Sequence, residues 1–341
     1  MMCLGLDVHE KWTTVVALDP ETGELRRFDR VPNEAEAFRR TLGELGGPLH
    51  GVMEAGWNSW AVYDLLEPLF SRLLMADPAE MKRRMSGRGA KTDRRDALQM
   101  ALLLAEDRVP AIWVPDRKTR DLRVLTRGRA RISQLITQVG NQIHALGASF
   151  GHDCPASKLR TQRGRSWAET MELPPLASEM RDRWLAVLTL MEENEAQLET
   201  MIRQIASQDP RAKCLATMPG VGALSALTIV AEVGDVDRFD NAKSLVGFAG
   251  LGPQVHQSGE ELHYGPLPSS GNPWLRRIMV LAAQHGARMR ADDKLKRQYW
   301  RAFIKHGPNT AKVATARKML VVAHHLLRHL EDYVERPSQA A

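Results

Sequence analysis

Cys3–Leu18, CLGLDVHEKWTTVVAL, holds two β-rich runs, Cys3–Val8 and Trp12–Leu18, separated by a short polar turn. Such runs bounded by turn residues predict two strands, and Leu25–Val31, after the Thr22-Gly23 turn, extends them to a three-strand meander. Outward from there, Asn33 reads as the cap of a helical stretch to about Leu45. An apolar run at His50–Met53, a helix around Trp57–Phe70, a strand at Arg72–Met75 and a helix at Thr92–Glu106 follow. The order βββαβαβ with a final helix predicts a mixed sheet flanked by helices, an α/β domain over residues 1–110.

From about Lys118 the pattern changes. Leu122, Leu125, Ile132, Ile136, Val139, Ile143 and Leu146 recur at steps of three and four, interrupted only by Arg129. A second series runs Trp184, Leu188, Met191, Leu198, Ile202 and Ile205, broken at Glu195. Both are heptad-like seams, and the Pro-, Gly- and Ser-punctuated connection of about Gly151–Pro175 predicts an antiparallel helical pair or a coiled-coil dimer arm over residues 111–208. Residues 209–332 again read as mainly helical, around a Gly/Pro/Ser-rich middle at Gly250–Gly271 expected to be a long functional or disordered loop. Residues 333–341 read as a frayed tail.

A chain of 341 residues has length for about two domains, which excludes a disulfide-stapled miniprotein. No apolar run reaches the roughly 18 residues of a membrane helix. The start MMCLGLDVHE lacks the order of a secretory signal, so a cytoplasmic protein is expected. Cys3, Cys154 and Cys214 form no CxxC pair and read as small apolar groups. The net charge is only +6, yet Met81–Arg131 holds fifteen basic and six acidic residues, a local excess of nine. A clustered positive field suits a polyanion such as nucleic acid, where a solvated helix face is the plainer alternative.

Four carboxylates stand out in the first domain. Asp7 ends the first strand, Glu54 follows the run His50–Met53, and Asp93 and Asp96 share one face at the start of a helix. Singly, each reads first as a helix-dipole or turn residue. Gathered at strand ends, they would repel one another unless they held divalent cations, and oxygen-only ligands favour Mg²⁺ or Mn²⁺ over zinc. A pair of such ions about 3.5–4 Å apart clamps the attacking and leaving oxygens of a phosphodiester. Lys91, Arg94 and Arg95 would supply phosphate contacts beside them, joined by Lys82, Arg83, Arg84 and Arg88 of the basic stretch.

GLDVHE at Gly5–Glu10, MEAGWNSW at Met53–Trp60 and KTDRRDA at Lys91–Ala97 resemble the three acidic motifs of the DEDD transposases of the insertion-sequence 110 family, relatives of the Piv-type DNA invertases. The resemblance implies a RuvC-like, RNase H-type first domain with Asp7, Glu54, Asp93 and Asp96 as metal ligands. It also implies a DNA recombinase acting at the nucleoid, assembled as a homo-oligomer on donor and target DNA and guided by a bridge RNA.

PGVG at Pro219–Gly222 resembles a helix-hairpin-helix turn, with Gly220 and Gly222 letting backbone approach a phosphate; a plain tight turn between helices is the alternative. Phe248–Arg277 resembles the C-terminal transposase domain of the same family. Asn272 caps and Pro273 opens a helix there, with Arg276 and Arg277 near its start. In that family a nucleophilic serine lies in the SG string, which maps to Ser258 before Gly259. From the residues alone a serine before glycine is a turn residue, and Tyr264 is the competing nucleophile. Two rivals remain: a metal-dependent structure-selective nuclease of the junction-resolving kind, which would not need Ser258, and a non-enzymatic nucleic-acid-binding protein, which would not need metal.

Overall fold

The computed structural model describes residues 1–85, 92–153, 159–258, 261–289 and 293–334, with the backbone alone at 85, 255–258 and 261–264. Its contacts divide the chain into two compact units, Met1–Val114 and Pro115–Ala341. The expected arm and C-terminal region both fall within the second.

The first unit runs β1 (Met2–Val8), β2 (Trp12–Leu18), β3 (Leu25–Pro32), α1 (Ala35–Gly43), β4 (Leu49–Glu54), α2 (Ser59–Leu66), β5 (Arg72–Ala76), α3 (Pro78–Met85), α4 (Asp93–Ala105) and β6 (Ala111–Ile112). The sheet order is β3-β2-β1-β4-β5-β6. The meander β1-β2-β3 is antiparallel, β1-β4 and β4-β5 are parallel, and β6 closes antiparallel on β5. The expected mixed sheet is therefore present, with α3 and β6 added. Asn33 is not the cap of α1, a place taken by Glu34; its side chain is used instead on the turn after β1.

Strand alternation sorts side chains onto two faces. Leu4, Leu6, Met53 and Met75 pack with Phe38 and Leu42 of α1 and Val62 and Leu66 of α2. Cys3, Val52 and Ala76 point the other way, against Met81 of α3 and Met100, Leu103 and Leu104 of α4. Asp7 keeps the parity of Cys3, and Glu54 that of Val52. Both carboxylates are thereby assigned to the face that α4 covers.

The second unit begins with two long helices, α5 (Arg117–Ser149) and α7 (Pro175–Ala206), joined through α6 (Gln162–Glu169). They pack antiparallel. Ile136 and Ile143 of α5 meet Leu188 of α7, while Leu122, near the start of α5, joins the same cluster as Ile202 and Ala206 at the end of α7. The two residues that interrupt the apolar series meet each other: Arg129 Nη2 lies 3.2 Å from Glu195 Oε1. Buried opposite charges on facing helices favour one sliding register over its neighbours.

Then come α8 (Pro210–Ala216), α9 (Ala223–Val233), α10 (Ala242–Phe248), the hairpin β7 (Val255–Ser258) and β8 (Glu261–Tyr264), α11 (Pro273–Gly286) and α12 (Lys294–His329), the last broken at Gly307-Pro308, where Gly307 has φ 81°. Leu215, Leu227, Leu245, Leu275, Met279 and Leu320 form the core of this part. For Gly250–Gly271, expected to be a long functional or disordered loop, the structure adds the β7–β8 hairpin within it. Four-residue strands that alternate no clear apolar face, VHQS and ELHY, carry too little period-2 signal to be read in advance.

Candidate functional site

The glycine at position 5 explains why α4 lies where it does. A Cβ there would fall 1.8 Å from the Ala97 carbonyl oxygen and 2.8 Å from the Ala101 nitrogen. Only a bare backbone lets α4 approach β1 this closely. Thr92 caps α4, its side chain accepting from the Arg95 N–H, so the helix starts at Asp93, beside the end of β1.

Asp7, His9 and Asp93 then come together, their ligand atoms all within 4.8 Å of one another. His9 Nε2 lies 3.0 Å from Asp93 Oδ2 and 3.3 Å from Asp7 Oδ2. That nitrogen is sealed from solvent and has no partner with hydrogen-bond geometry among the described residues. Glu54 ends β4 one step past the Leu6–Met53 register pair, alongside Asp7 on the neighbouring parallel strand. Asp96 sits half-buried in the first turn of α4, next to the contact with Gly5.

Two asparagines fix the turn that carries His9. Asn33 and Asn58 each donate a side-chain N–H to the His9 carbonyl at 2.9 Å, and the His9 N–H donates to the Trp12 carbonyl. Asn33 is anchored in turn by the Thr13 hydroxyl at 2.7 Å, and the Trp12 ring stands 5.8 Å from the His9 imidazole. Asn58 belongs to the MEAGWNSW string, so the loop after Glu54 is tied directly to the loop after Asp7. Trp57 of the same string is 79% exposed. Sequence reasoning passed over His9 and Asn58; the signal available was a histidine two residues beyond a strand-end aspartate, which lies in the same loop but not on a recognisable ligand spacing.

The basic residues of this unit divide. Arg94 pairs through two nitrogens with Asp29 of β3, and its hydrogen bond and charge hold the Asp29 carboxyl below the ordinary value. Arg84 donates to the Arg108 carbonyl, and Arg83 lies 3.0 Å from Glu80. Lys82 is exposed and Arg95 half-buried. Arg88 and Lys91 lie outside the described residues.

In the second unit Gly220 has φ 82°, and a Cβ there would meet the Ala282 oxygen of α11 at 2.3 Å. Its N–H is taken by the Met289 sulfur at 3.1 Å. The close approach that PGVG permits is to α11. Gly222 is the N-cap residue of α9, with open space around it. Asn272 caps α11 as expected, accepting from the Trp274 and Leu275 N–H groups. Arg276 donates to the Ala249 carbonyl at 3.1 Å and the Ser270 carbonyl at 2.6 Å, and the Asn272 N–H donates to the Phe248 carbonyl. Arg276 thus ties together the segments that lead into and out of the hairpin. Arg277 is exposed. Ser258 is the last residue of β7, paired with Glu261 beside the turn, whereas Tyr264 pairs with Val255 at the opposite end of the ladder. Gly259 lies outside the described residues.

A carboxylate that the sequence reading did not single out is fully buried here. Glu232 of α9 receives Arg127 at both oxygens, 2.7 Å each, and the Asn272 amide at 2.7 Å. Arg123 donates to the Ala231 and Glu232 carbonyls, and burial draws its pKa down against the pull of Glu232. The Asn272 side chain therefore caps α11 with its oxygen and holds Glu232 with its nitrogen.

Comparison with known proteins matches two stretches of the chain. Residues 4–146 match a transposase family model of the DEDD type, and residues 212–300 match the model of the Transposase IS116/IS110/IS902 family. The y4qE protein of Sinorhizobium fredii is 27% identical over 287 residues, 82% of this chain and 70% of that one. The transposase for insertion sequence element IS1111A of Coxiella burnetii is 27% identical over 248 residues, covering 71% and 68%. The pilin gene-inverting protein of Moraxella bovis is 24% identical over 250 residues, covering 72% and 69%. Among the described residues no helix is long and apolar enough to cross a membrane.

Proposed function

The chain belongs to the IS116/IS110/IS902 family of transposases, and from that premise we propose that it cuts and rejoins DNA strands with a carboxylate-held divalent metal and a serine nucleophile. The observation that carries the reading is the meeting of Asp7 and Asp93 at the end of β1, inside the stretch that matches the DEDD model. Asp7, Glu54, Asp93 and Asp96 are the residues to hold Mg²⁺ or Mn²⁺ on a RuvC-like sheet. Such ions polarise a phosphodiester and stabilise the charge that builds on its oxygens.

In the proposed reaction the Ser258 hydroxyl attacks phosphorus, an Oγ–P bond replaces the bond to the leaving DNA oxygen, and that oxygen departs as a hydroxyl. The phosphodiester energy is kept in the adduct, so a second DNA hydroxyl rejoins the strand and releases the serine. Its place beside the hairpin turn supports Ser258 over Tyr264, which lies three residues nearer the base. Lys82, Arg83, Arg84, Arg95 and Arg277 are the proposed phosphate contacts, with bridge RNA as the guide and a homo-oligomer as the working form.

A strand-transfer assay with purified protein tests this, run with and without the non-coding RNA of the element. The expected result is RNA-dependent transfer that is abolished by EDTA and by Asp7→Ala. A protein–DNA adduct should appear with Tyr264→Phe and be absent with Ser258→Ala. Full activity in EDTA overturns the metal; an adduct that persists in Ser258→Ala and vanishes in Tyr264→Phe overturns the serine; hydrolysis without any adduct favours a nuclease.

A further inference from the structure

We propose that His9, through Nε2, is a protein ligand of the cation held by Asp7 and Asp93, and that this nitrogen donor tunes the site toward Mn²⁺-like transition ions over Mg²⁺. The inference rests on the metal reading above and adds to it a ligand outside the four carboxylates.

Three observations converge on His9. Its Nε2 is buried, lacks a hydrogen-bond partner among the described residues, and stands between two carboxylate oxygens. A proton on this nitrogen would answer the two carboxylates as an ion pair, whereas a cation in its place would be bound by all three donors at once. The spacing is also right for coordination. Adjacent donors around an octahedral ion with bonds of about 2.0–2.1 Å are about 3 Å apart, and here Nε2 lies 3.0 Å and 3.3 Å from the two oxygens. Finally, the ring is presented by a turn whose backbone is held from both sides, the His9 carbonyl taking the Asn33 and Asn58 amides. A ligand fixed in this way forfeits little freedom on binding.

The consequence is selectivity. Mg²⁺ is hard, gives up water reluctantly and prefers oxygen, whereas imidazole suits transition ions. An all-carboxylate site would treat Mg²⁺ and Mn²⁺ more evenly than a site with one imidazole.

Mn²⁺ electron paramagnetic resonance on the full-length protein tests this without reference to activity. Wild-type protein should bind Mn²⁺ and show ¹⁴N coupling in spin-echo modulation. His9→Ala keeps the backbone carbonyl that the two asparagines grip, and should lose the ¹⁴N coupling and weaken Mn²⁺ binding by about tenfold or more. Competition should show Mg²⁺ affinity changing less, so that the Mn²⁺/Mg²⁺ preference narrows; circular dichroism should be unchanged. Retained ¹⁴N coupling in His9→Ala, or wild-type Mn²⁺ binding without it, overturns the His9 assignment and leaves the carboxylate site standing. Absence of Mn²⁺ binding to the wild type, or binding unaffected by Asp7→Ala, overturns the underlying metal reading and the assignment with it.

Discussion

Asp93 and Glu232 are both helix carboxylates that meet a residue distant in sequence, but their charges are treated in opposite ways. Asp93 is 57% exposed and faces Asp7 and His9, a grouping with more negative than positive charge. Glu232 is completely buried and is met by two arginines and an amide. The first grouping is the one proposed to take a cation, and the second balances its charge from within the chain. The surroundings of the two carboxylates are what the contrast rests on.

That contrast is breakable. Glu232→Ala would leave Arg127 and Arg123 buried without their counter-charge and should lower unfolding stability by about 3–5 kcal/mol, read from urea melts. Asp93→Ala should change it by no more than about 0.5 kcal/mol while abolishing strand transfer. Equal losses in the two variants would erase the distinction.

The α5–α7 pair tests the same idea at an intermediate charge. Glu195 is 4% exposed and is shared by Arg129 and Arg160. Arg129→Leu alone should cost about 2–3 kcal/mol, and adding Glu195→Leu should recover most of it, because an apolar pair restores the seam. A double variant less stable than the single one would show that the charges contribute more than register.

Gly5→Ala probes the first unit through packing instead of charge. Its Cβ would collide with the backbone of α4, so the expected cost is about 1–3 kcal/mol, with a larger loss of Mn²⁺ affinity as Asp93 shifts from Asp7. Unchanged metal binding would mean that α4 does not set the site.

The smallest expected effect is a pH slope. Burial raises the Asp209 carboxyl, but the hydrogen bonds and charge of Arg211, with the Arg211 and Ala212 N–H groups, outweigh it and hold the carboxyl below the ordinary carboxylate range. A depressed carboxylate contributes stability that is present above the unfolded value and lost as pH falls through the folded one. Asp209 also caps α8, so Asp209→Asn should retain the cap, lose roughly 1 kcal/mol at neutral pH, and show a shallower decline below about pH 4 in the same melts. An identical acid slope in both proteins would remove Asp209 from the account.

Much of the first unit was legible because its signals are local. The alternation in CLGLDV and WTTVVAL sets strand and face together, and the face then decides that Asp7 and Glu54 look toward α4. Asn272-Pro273 gave the start of α11 for the same reason. Asn33 misled because an asparagine before a helical run satisfies the cap pattern, while its actual partners, His9 and Thr13, are 24 and 20 residues away. Glu232 was hidden more thoroughly. In ALSALTIVAEV it is one charge in an apolar helix, and its partners lie 105 and 40 positions away. Arg276, read as a cation for a phosphate, also donates to two carbonyls, partners that no local pattern announces.

That clasp fixes the root of the β7–β8 hairpin. Arg276 holds its root at Ala249 and Ser270, and Asn272 fastens the same root to buried Glu232. A ladder rooted this way has its length set by its strands and its bearing by the root. Adding two residues to each strand would lengthen the ladder by about 7 Å and keep its alternation, whereas adding one would invert that alternation. Within such a lineage, ladder length should therefore change in two-residue steps while the root stays the same.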